Sequence, residues 1–486
     1  MTRLVPGTDV ASCTIQGLTP SYVKGLSMSE RLEADVVVVG AGTSGCYFAL
    51  KLAERGYRCV VLEKERLETL GSHIGPFHME EVAFARFGVP FPEGNELLHV
   101  VKNSTMWSPN RNSSFQFELK TLVMDKPSFI QRLQGYARDS GVEVLEQAEV
   151  TGLMWERGFL RGVRVSTPEG ELEVAARLVV DASGIDSAVR ALMPRTRWLE
   201  TAPINDRDTF IVYMEPWRNI TGEFYPDINS FPGFQGWYAP GPGDTTIVGV
   251  GMMGSAEAAK KRHDLFVEML PFEGEVVSST GGRVPYRRPP YSLVDNGFMV
   301  MGDAAYMNKP FSGEGVTSAF TACVIAVDVA DRALAVDDLS RESLWPYNVR
   351  YFRDQGAKFA FLMSFMPALV AVSDEELDFF FSIPGVMTEE SSRALQLEYE
   401  VKGDIKESLK AVSHIIKGLA GRQLRPSTLF SLARAGVLAG ALKNLYERFP
   451  DHPVDFGRWM VRVDRIWSRS ERFKYEYFSS LTRELG

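Results

Sequence analysis

The sequence predicts an α/β protein in three parts: one lobe on a parallel sheet, a second lobe on a mixed sheet, and a helical C-terminal region. Three observations carry this. Four consecutive β-branched residues, Val36 to Val39, run into Gly40, Gly42 and Gly45; the apolar run Leu178-Val179-Val180 ends at Asp181; and Phe298 to Met301 ends at Gly302-Asp303. Short apolar strands that each deliver a glycine turn or a carboxylate are the pattern of a sheet buried on both faces. Past residue 335 the apolar positions recur at helical spacing instead.

The first of these units is the most informative. Ser44 to Arg55 carries a helical pattern closed by Gly56, and Arg58 to Leu62 is a second apolar strand ending in Glu63. Strand, helix and strand make a βαβ unit with G-x-G-x-x-G spacing. Gly40 suits the tight turn, Gly42 lets backbone approach a pyrophosphate, and Gly45 lets helix and strand pack closely, while Thr43 and Ser44 sit where the helix N-terminus offers free N–H groups. Glu63 lies eighteen residues past the last glycine, beside Lys64. A carboxylate there accepts hydrogen bonds from a ribose diol and repels a 2′-phosphate, so the expected ligand is FAD or NAD.

Composition narrows the partners. The 486 residues are 45% apolar and 24% charged, with net charge −9 and a pI near 5.4, which disfavours nucleic acid. Cys13, Cys46, Cys59 and Cys323 form no C-x-x-C pair and the six histidines no H-x-x-x-H pair, so neither a disulfide framework nor a metal site is expected. Residues 1 to 33 read as an N-terminal extension rather than a signal peptide, and a cytoplasmic location is expected. Phe359 to Val372 is apolar but broken by Ser364 and Pro367 and shorter than the ~20 residues that span a bilayer. It reads as a core helix or as a greasy surface that meets lipid or covers an apolar substrate.

Along the chain, residues 65 to 92 form a connection with helical pieces, and residues 97 to 124 alternate like strands. Asp125-Lys126-Pro127-Ser128 opens a helix with Phe129, Leu133 and Tyr136 on one face. Residues 142 to 174 suggest a small antiparallel sheet ahead of the strand that ends at Asp181.

Asp181-Ala-Ser-Gly-Ile-Asp-Ser-Ala-Val-Arg190 follows that strand. It resembles the second fingerprint, D-G-x-x-S-x-V-R, of FAD-dependent oxidoreductases with the glutathione-reductase-like fold, in the branch shared by aromatic hydroxylases and geranylgeranyl reductases. Here the order is D-A-S-G. Gly302-Asp303-Ala-Ala, then Pro310-Phe-Ser-Gly313-Glu314-Gly315-Val316, resembles the family's G-D-A-A and P-x-x-G-E-G. The resemblance implies FAD, with Asp181 among the residues that bind it, Asp303 on its ribityl chain and the next helix aimed at the isoalloxazine. Independent physics agrees, since a carboxylate suits sugar-like hydroxyls and a glycine-rich helix start presents donors where reduced flavin gathers negative charge.

Substrate contacts are expected between the second and third fingerprints. Trp237-Tyr238-Ala-Pro240, followed by Val248-Gly-Val-Gly251 and by Gly281-Gly-Arg-Val-Pro285, resembles segments of geranylgeranyl reductases, although Gln235 and Ala239 replace the family's Tyr and Phe. Trp237, Tyr238 and Pro240 are candidate substrate residues, or the two aromatics are a pair on a sheet face. Cys46, beside Gly45, is a candidate proton donor because a helix N-terminus lowers a thiol pKa, or else a small packed residue.

The expected organisation is a Rossmann-like FAD-binding domain from residues 34–80, 121–195 and 291–335, a substrate domain from 81–120 and 196–290, and a helical cap over 336–486. The expected activity is hydride transfer from reduced FAD to a double bond of an isoprenoid or related apolar lipid, fed by NAD(P)H or a ferredoxin. A flavin monooxygenase and a non-catalytic flavin carrier are the alternatives. The cap's many arginines, among them Arg422, Arg425 and Arg434, beside Phe430 and Val437, suggest a solvated face or a peripheral contact with an anionic membrane.

Overall fold

The computed structural model describes residues 31–72, 75–196, 198–384, 388–401 and 405–484; most of the expected N-terminal extension, with Cys13, lies outside them. Eight strands among the described residues form a first sheet with a parallel middle. Arg31–Val39 lies between Cys59–Leu62 and Gly170–Asp181, and Phe298–Val300 pairs with the far side of the latter. Val36, Val37, Val38, Val60, Val61, Val179 and Val180 are all fully buried, so branched side chains fill both faces of the pleat.

Register decides where the loops emerge. Val39 is level with Leu62 on one side and Asp181 on the other, and Asp181 is level with Val300. The loops after Val39, Asp181 and Val300 therefore leave the sheet side by side. Helix Thr43–Ala53 follows the first loop and packs on helices Lys126–Asp139 and Val316–Ala335.

Nine strands among the described residues make the second sheet, antiparallel except where Ile228–Phe231 runs parallel to Leu97–Trp107. Phe77–Glu80 pairs with Thr121–Met124 at its edge. The sheet thus takes in residues on both sides of the expected boundaries at 80/81 and 120/121, because alternation within a strand does not reveal which sheet an edge strand joins.

The C-terminal region is helical, as expected. It includes helices Glu389–Glu398 and Ile405–Ala420, the first ending at Tyr399 in the left-handed region. Helix Ala357–Val370 buries Phe359, Leu362 and Met363, and Ser364 bonds Ser470 through their hydroxyls at 2.8 Å. It is largely a core helix, and among the described residues no single helix is long and apolar enough to cross a membrane. Phe352, Phe449, Phe456 and Trp459 stack into one aromatic core that is continuous with the first lobe.

Candidate functional site

The three aligned loops touch each other through positions that only glycine fits. A Cβ on Gly40, whose φ is +105°, would lie 2.3 Å from the Ala182 carbonyl oxygen, and one on Gly302, at φ +64°, 2.6 Å from Ser44 Oγ. Gly42 differs. A Cβ there would meet nothing within 4 Å, so the protein leaves open space beside the backbone at the start of the helix, where an anion is favoured. Glu63 is 93% buried and its carboxylate accepts the Ala41 N–H at 2.9 Å and the Glu65 N–H at 3.0 Å. The acid is held against the glycine turn with lone pairs left over for a diol. Lys64 is exposed.

Asp181 has a different role from the one expected. It is fully buried, with Oδ1 accepting the Ser183 N–H at 3.1 Å and the Ser183 hydroxyl at 2.5 Å, and Oδ2 accepting the Arg190 N–H at 2.7 Å. The carboxylate is turned onto its own loop, which it shapes, and with no exposed surface it does not face a cofactor in this fold. Arg190 extends the lock by donating to Tyr306 Oη at 2.6 Å and to the Ala304 carbonyl at 3.2 Å. The second and third loops are thereby fixed to one another.

Asp303 sits in the third loop, in a short helical turn over Gly302–Ala305. Burial pushes its carboxyl up, against the opposing pull of Lys126 and a hydrogen bond from Asn308, and burial pushes Lys126 down. Asn308 Oδ1 is buried without a partner. A carboxylate, an amide oxygen short of a donor and an open backbone cradle at Gly42 together fit a ligand with a diphosphate and several hydroxyls, as FAD has. Lys126 and Asn308 were not singled out in the sequence; the helix opening at Asp125 places Lys126 there, with Asp125 capping Ser128 N–H at 2.9 Å.

The loop from Pro310 to Val316 is tied to the second sheet. Lys309 is almost fully buried and donates to Glu80 Oε1 at 2.6 Å and to Glu314 Oε2 at 3.0 Å, while His78 Nδ1 lies 3.8 Å from Glu314 Oε1. Burial works against the Lys309 charge, yet the two carboxylates hold its ammonium well above the usual lysine range. Burial lowers His78 against the pull of Glu314 and Glu80. A Cβ on Gly313 would be 3.6 Å from Val284, so this loop abuts the strand of the G-G-R-V-P segment. Gly315 is at the N-cap of helix Val316–Ala335, and its Cβ would be 3.2 Å from Asp303 Oδ1. Pro310 is buried, and Phe311 packs with Phe359, Leu362 and Tyr399 of the C-terminal helices.

Trp237 and Tyr238 point to opposite faces of strand Gly236–Pro240. The Trp237 ring lies across Gly249, where a Cβ would approach it to 2.7 Å and Met214 to 3.0 Å; Met214 in turn reaches toward Gly75 of the nucleotide lobe. The glycines of the V-G-V-G strand make room for that ring. Tyr238 is 98% buried among Phe231, Phe224 and Phe272. It is core and cannot meet a substrate, the period of two having separated the pair. Pro240 is half-buried at the strand end, level with Thr246.

Cys46 runs against the expected direction. It is fully buried, its thiol donates to the Ala41 carbonyl at 3.2 Å, and burial, with Glu63 nearby, pushes its pKa up to about 12. Desolvation outweighs the helix terminus. Among the described residues no cluster of side chains could hold a metal ion.

Known proteins match this arrangement. Two family models described as FAD dependent oxidoreductase match residues 35–191 and 115–329. Digeranylgeranylglycerophospholipid reductase 1 of Methanopyrus kandleri is 30% identical over 338 residues, covering 66% of this chain and 88% of that protein. The digeranylgeranylglycerophospholipid reductase of Sulfolobus acidocaldarius is 26% identical over 456 residues, covering 90% of this chain and 98% of the other, which takes in the helical C-terminal region. A geranylgeranyl bacteriochlorophyll reductase-like protein from Thermoplasma acidophilum superposes with a TM-score of 0.68 at 20% identity, over 79% of this chain and 96% of that one; it shares the fold. The chain belongs to the geranylgeranyl reductase family of FAD-dependent oxidoreductases.

Proposed function

We propose that this enzyme saturates carbon–carbon double bonds of a geranylgeranyl-type isoprenoid lipid. The observation that carries the reading is the 30% identity to a digeranylgeranylglycerophospholipid reductase over 88% of that protein, on a chain whose three cofactor loops are aligned and mutually packed. FAD, when bound and reduced, supplies hydride chemistry for such a bond. The chain's own residues do the rest. Gly40, whose N–H is taken by the Leu62 carbonyl at 2.7 Å, and Gly45 let the loops pack closely; Gly42, Thr43 and Ser44 offer backbone donors to the diphosphate, Glu63 accepts from the adenosine ribose, and Asp303 from the ribityl chain. Gly313, Glu314, Gly315 and Val316 turn a helix N-terminus toward the ring system.

Trp237 presents an apolar face on the side of the second sheet that faces the nucleotide lobe, against which a prenyl chain packs and excludes water. Lys309 holds Glu314 ionised and in place; the helix terminus and this carboxylate are thus fixed relative to the second sheet. The electron donor is a nicotinamide that binds transiently or a ferredoxin-type protein.

The test is anaerobic. The purified flavoprotein is reduced stoichiometrically with dithionite and mixed with a geranylgeranyl lipid, and flavin absorbance is followed with product mass. Reoxidation with a gain of two hydrogens per turnover is expected. A flavin that stays reduced with prenyl lipids, and reoxidises only in oxygen while substrate gains an oxygen atom, overturns the reading in favour of a monooxygenase.

A further inference from the structure

Helix Pro426–Glu447 has two unlike faces. Ala435, Ala439, Leu442, Leu445 and Tyr446 are buried, and the helix packs along Ala357–Val370. The opposite stripe, Phe430, Ala433, Arg434, Val437 and Gly440, is exposed over three turns. Phe430 is 71% exposed and Val437 73%, and Ile416, at the end of the preceding helix, 60%. A stripe at i, i+3, i+4, i+7 and i+10 is the buried-face pattern of an amphipathic helix, yet here the protein leaves it open.

Charge identifies what covers it. The chain carries −9 overall, but residues 413–448 hold six cations, Lys417, Arg422, Arg425, Arg434, Lys443 and Arg448, against one carboxylate, Glu447. Arg425 is committed to Glu376 at 2.6 Å, and Lys443 lies 3.8 Å from Glu400. Lys417, Arg422 and Arg434 are exposed and have no carboxylate partner among the described residues. Arg434 stands on the apolar stripe itself, between Phe430 and Val437. A second copy of this acidic chain would have to bring a compensating anionic patch and an apolar one together. An anionic lipid surface offers both at once, acyl chains for Phe430, Val437 and Ile416, and headgroup charge for the arginines.

We infer that the exposed face of helix Pro426–Glu447, with the turn at Lys417–Arg422 before it, docks the enzyme on an anionic membrane. The inference rests on exposure and charge and not on the reductase reading, so either stands if the other fails.

Vesicles of phosphatidylcholine with about one third phosphatidylglycerol, and vesicles of phosphatidylcholine alone, are sedimented with the FAD-loaded full-length enzyme and with the variants F430S/V437S and R422Q/R434Q. The wild type should pellet with the anionic vesicles, and each double variant should bind about tenfold more weakly or worse, with unchanged FAD content, melting temperature and activity on a detergent-solubilised substrate. These positions touch neither lobe's core, so folding is not at stake. Failure of the wild type to pellet, or undiminished binding by both variants, overturns the proposal. So does a concentration-dependent dimer in analytical ultracentrifugation that F430S/V437S abolishes, which would assign the face to self-association.

Discussion

The carboxyl edge of the parallel sheet and the seam between the two sheets are both made of glycines, carboxylates and amines, but the chain encodes them differently. At the edge, the acids bond mostly within reach of their own loops, Asp181 to residues two and nine positions away and Glu63 back to the turn it serves, while Arg190 ties the second loop to the third through Tyr306. At the seam, Lys309 joins Glu80 across 229 residues, and Arg288 joins Glu200 across 88. Edge positions are mostly local and lined by backbone, so single substitutions there should change what is bound. Seam positions are buried charges paired at long range, so substitutions should change whether the lobes hold together.

The sharpest way to break this distinction is Lys309→Met. Removing the ammonium leaves Glu80, and in part Glu314, as unpaired buried carboxylates, which should cost about 3–5 kcal/mol of stability. Denaturant unfolding of the apoprotein measures it. A loss below about 1 kcal/mol, with FAD affinity reduced instead, would make Lys309 an edge residue by behaviour.

Asp303→Ala is the counterpart at the edge. It should lower FAD retention about tenfold or more, through a lost charge-assisted bond of about 1.5–3 kcal/mol, while the apoprotein melts near the wild-type temperature because burial already disfavours this carboxylate. Unchanged flavin occupancy after gel filtration would remove Asp303 from the cofactor site.

What was legible in the sequence follows the same division. The βαβ unit, the three strand-to-loop transitions and the helical C-terminal region are set by neighbours within about twenty residues, and hydrophobic period and glycine spacing expose them. The exceptions are instructive. Asp181 looks like a ligand because it follows a strand, but it is fully buried and turned onto three donors of its own loop. Tyr238 looks paired with Trp237 because they are adjacent, but adjacency on a strand puts them on opposite faces. Lys126, Asn308, His78 and Glu80 give no sequence signal, since each gains meaning from a partner on another element.

A milder probe of the seam uses acid. Burial would raise the Glu200 carboxyl, but Arg288, bonded to both its oxygens at 2.8 and 2.9 Å, and the Tyr291 N–H bring it down from 4.5 to about 2. A carboxyl depressed by folding contributes stability that is present above its unfolded pKa and is lost as pH falls through the folded one. Melting temperature should therefore fall between about pH 4.5 and 2, and Glu200→Gln should flatten that limb. Glu200 is 31% exposed, so solvent screening keeps the effect smaller than that of Lys309→Met. An unaltered acid limb in the variant would assign the fall to other carboxylates.

Cys46→Ser is expected to do least, and that is its value. The thiol lies at the edge, one residue from Gly45 and four into the helix, where position alone argues for a lowered pKa and a proton-donating role. Its surroundings argue otherwise: it is fully buried, bonded to the Ala41 carbonyl, and pushed up to about 12. A hydroxyl replaces the thiol with little change in volume and can make the same bond, so stability should shift by less than about 1 kcal/mol. Single-turnover reduction of the prenyl lipid should keep its wild-type rate and pH profile. A large drop in that rate with FAD content and melting temperature unchanged would restore Cys46 as the proton donor. It would also mean that reduced cofactor or substrate opens a path to a thiol the free fold keeps closed, making this the one edge position whose chemistry depends on what the edge binds.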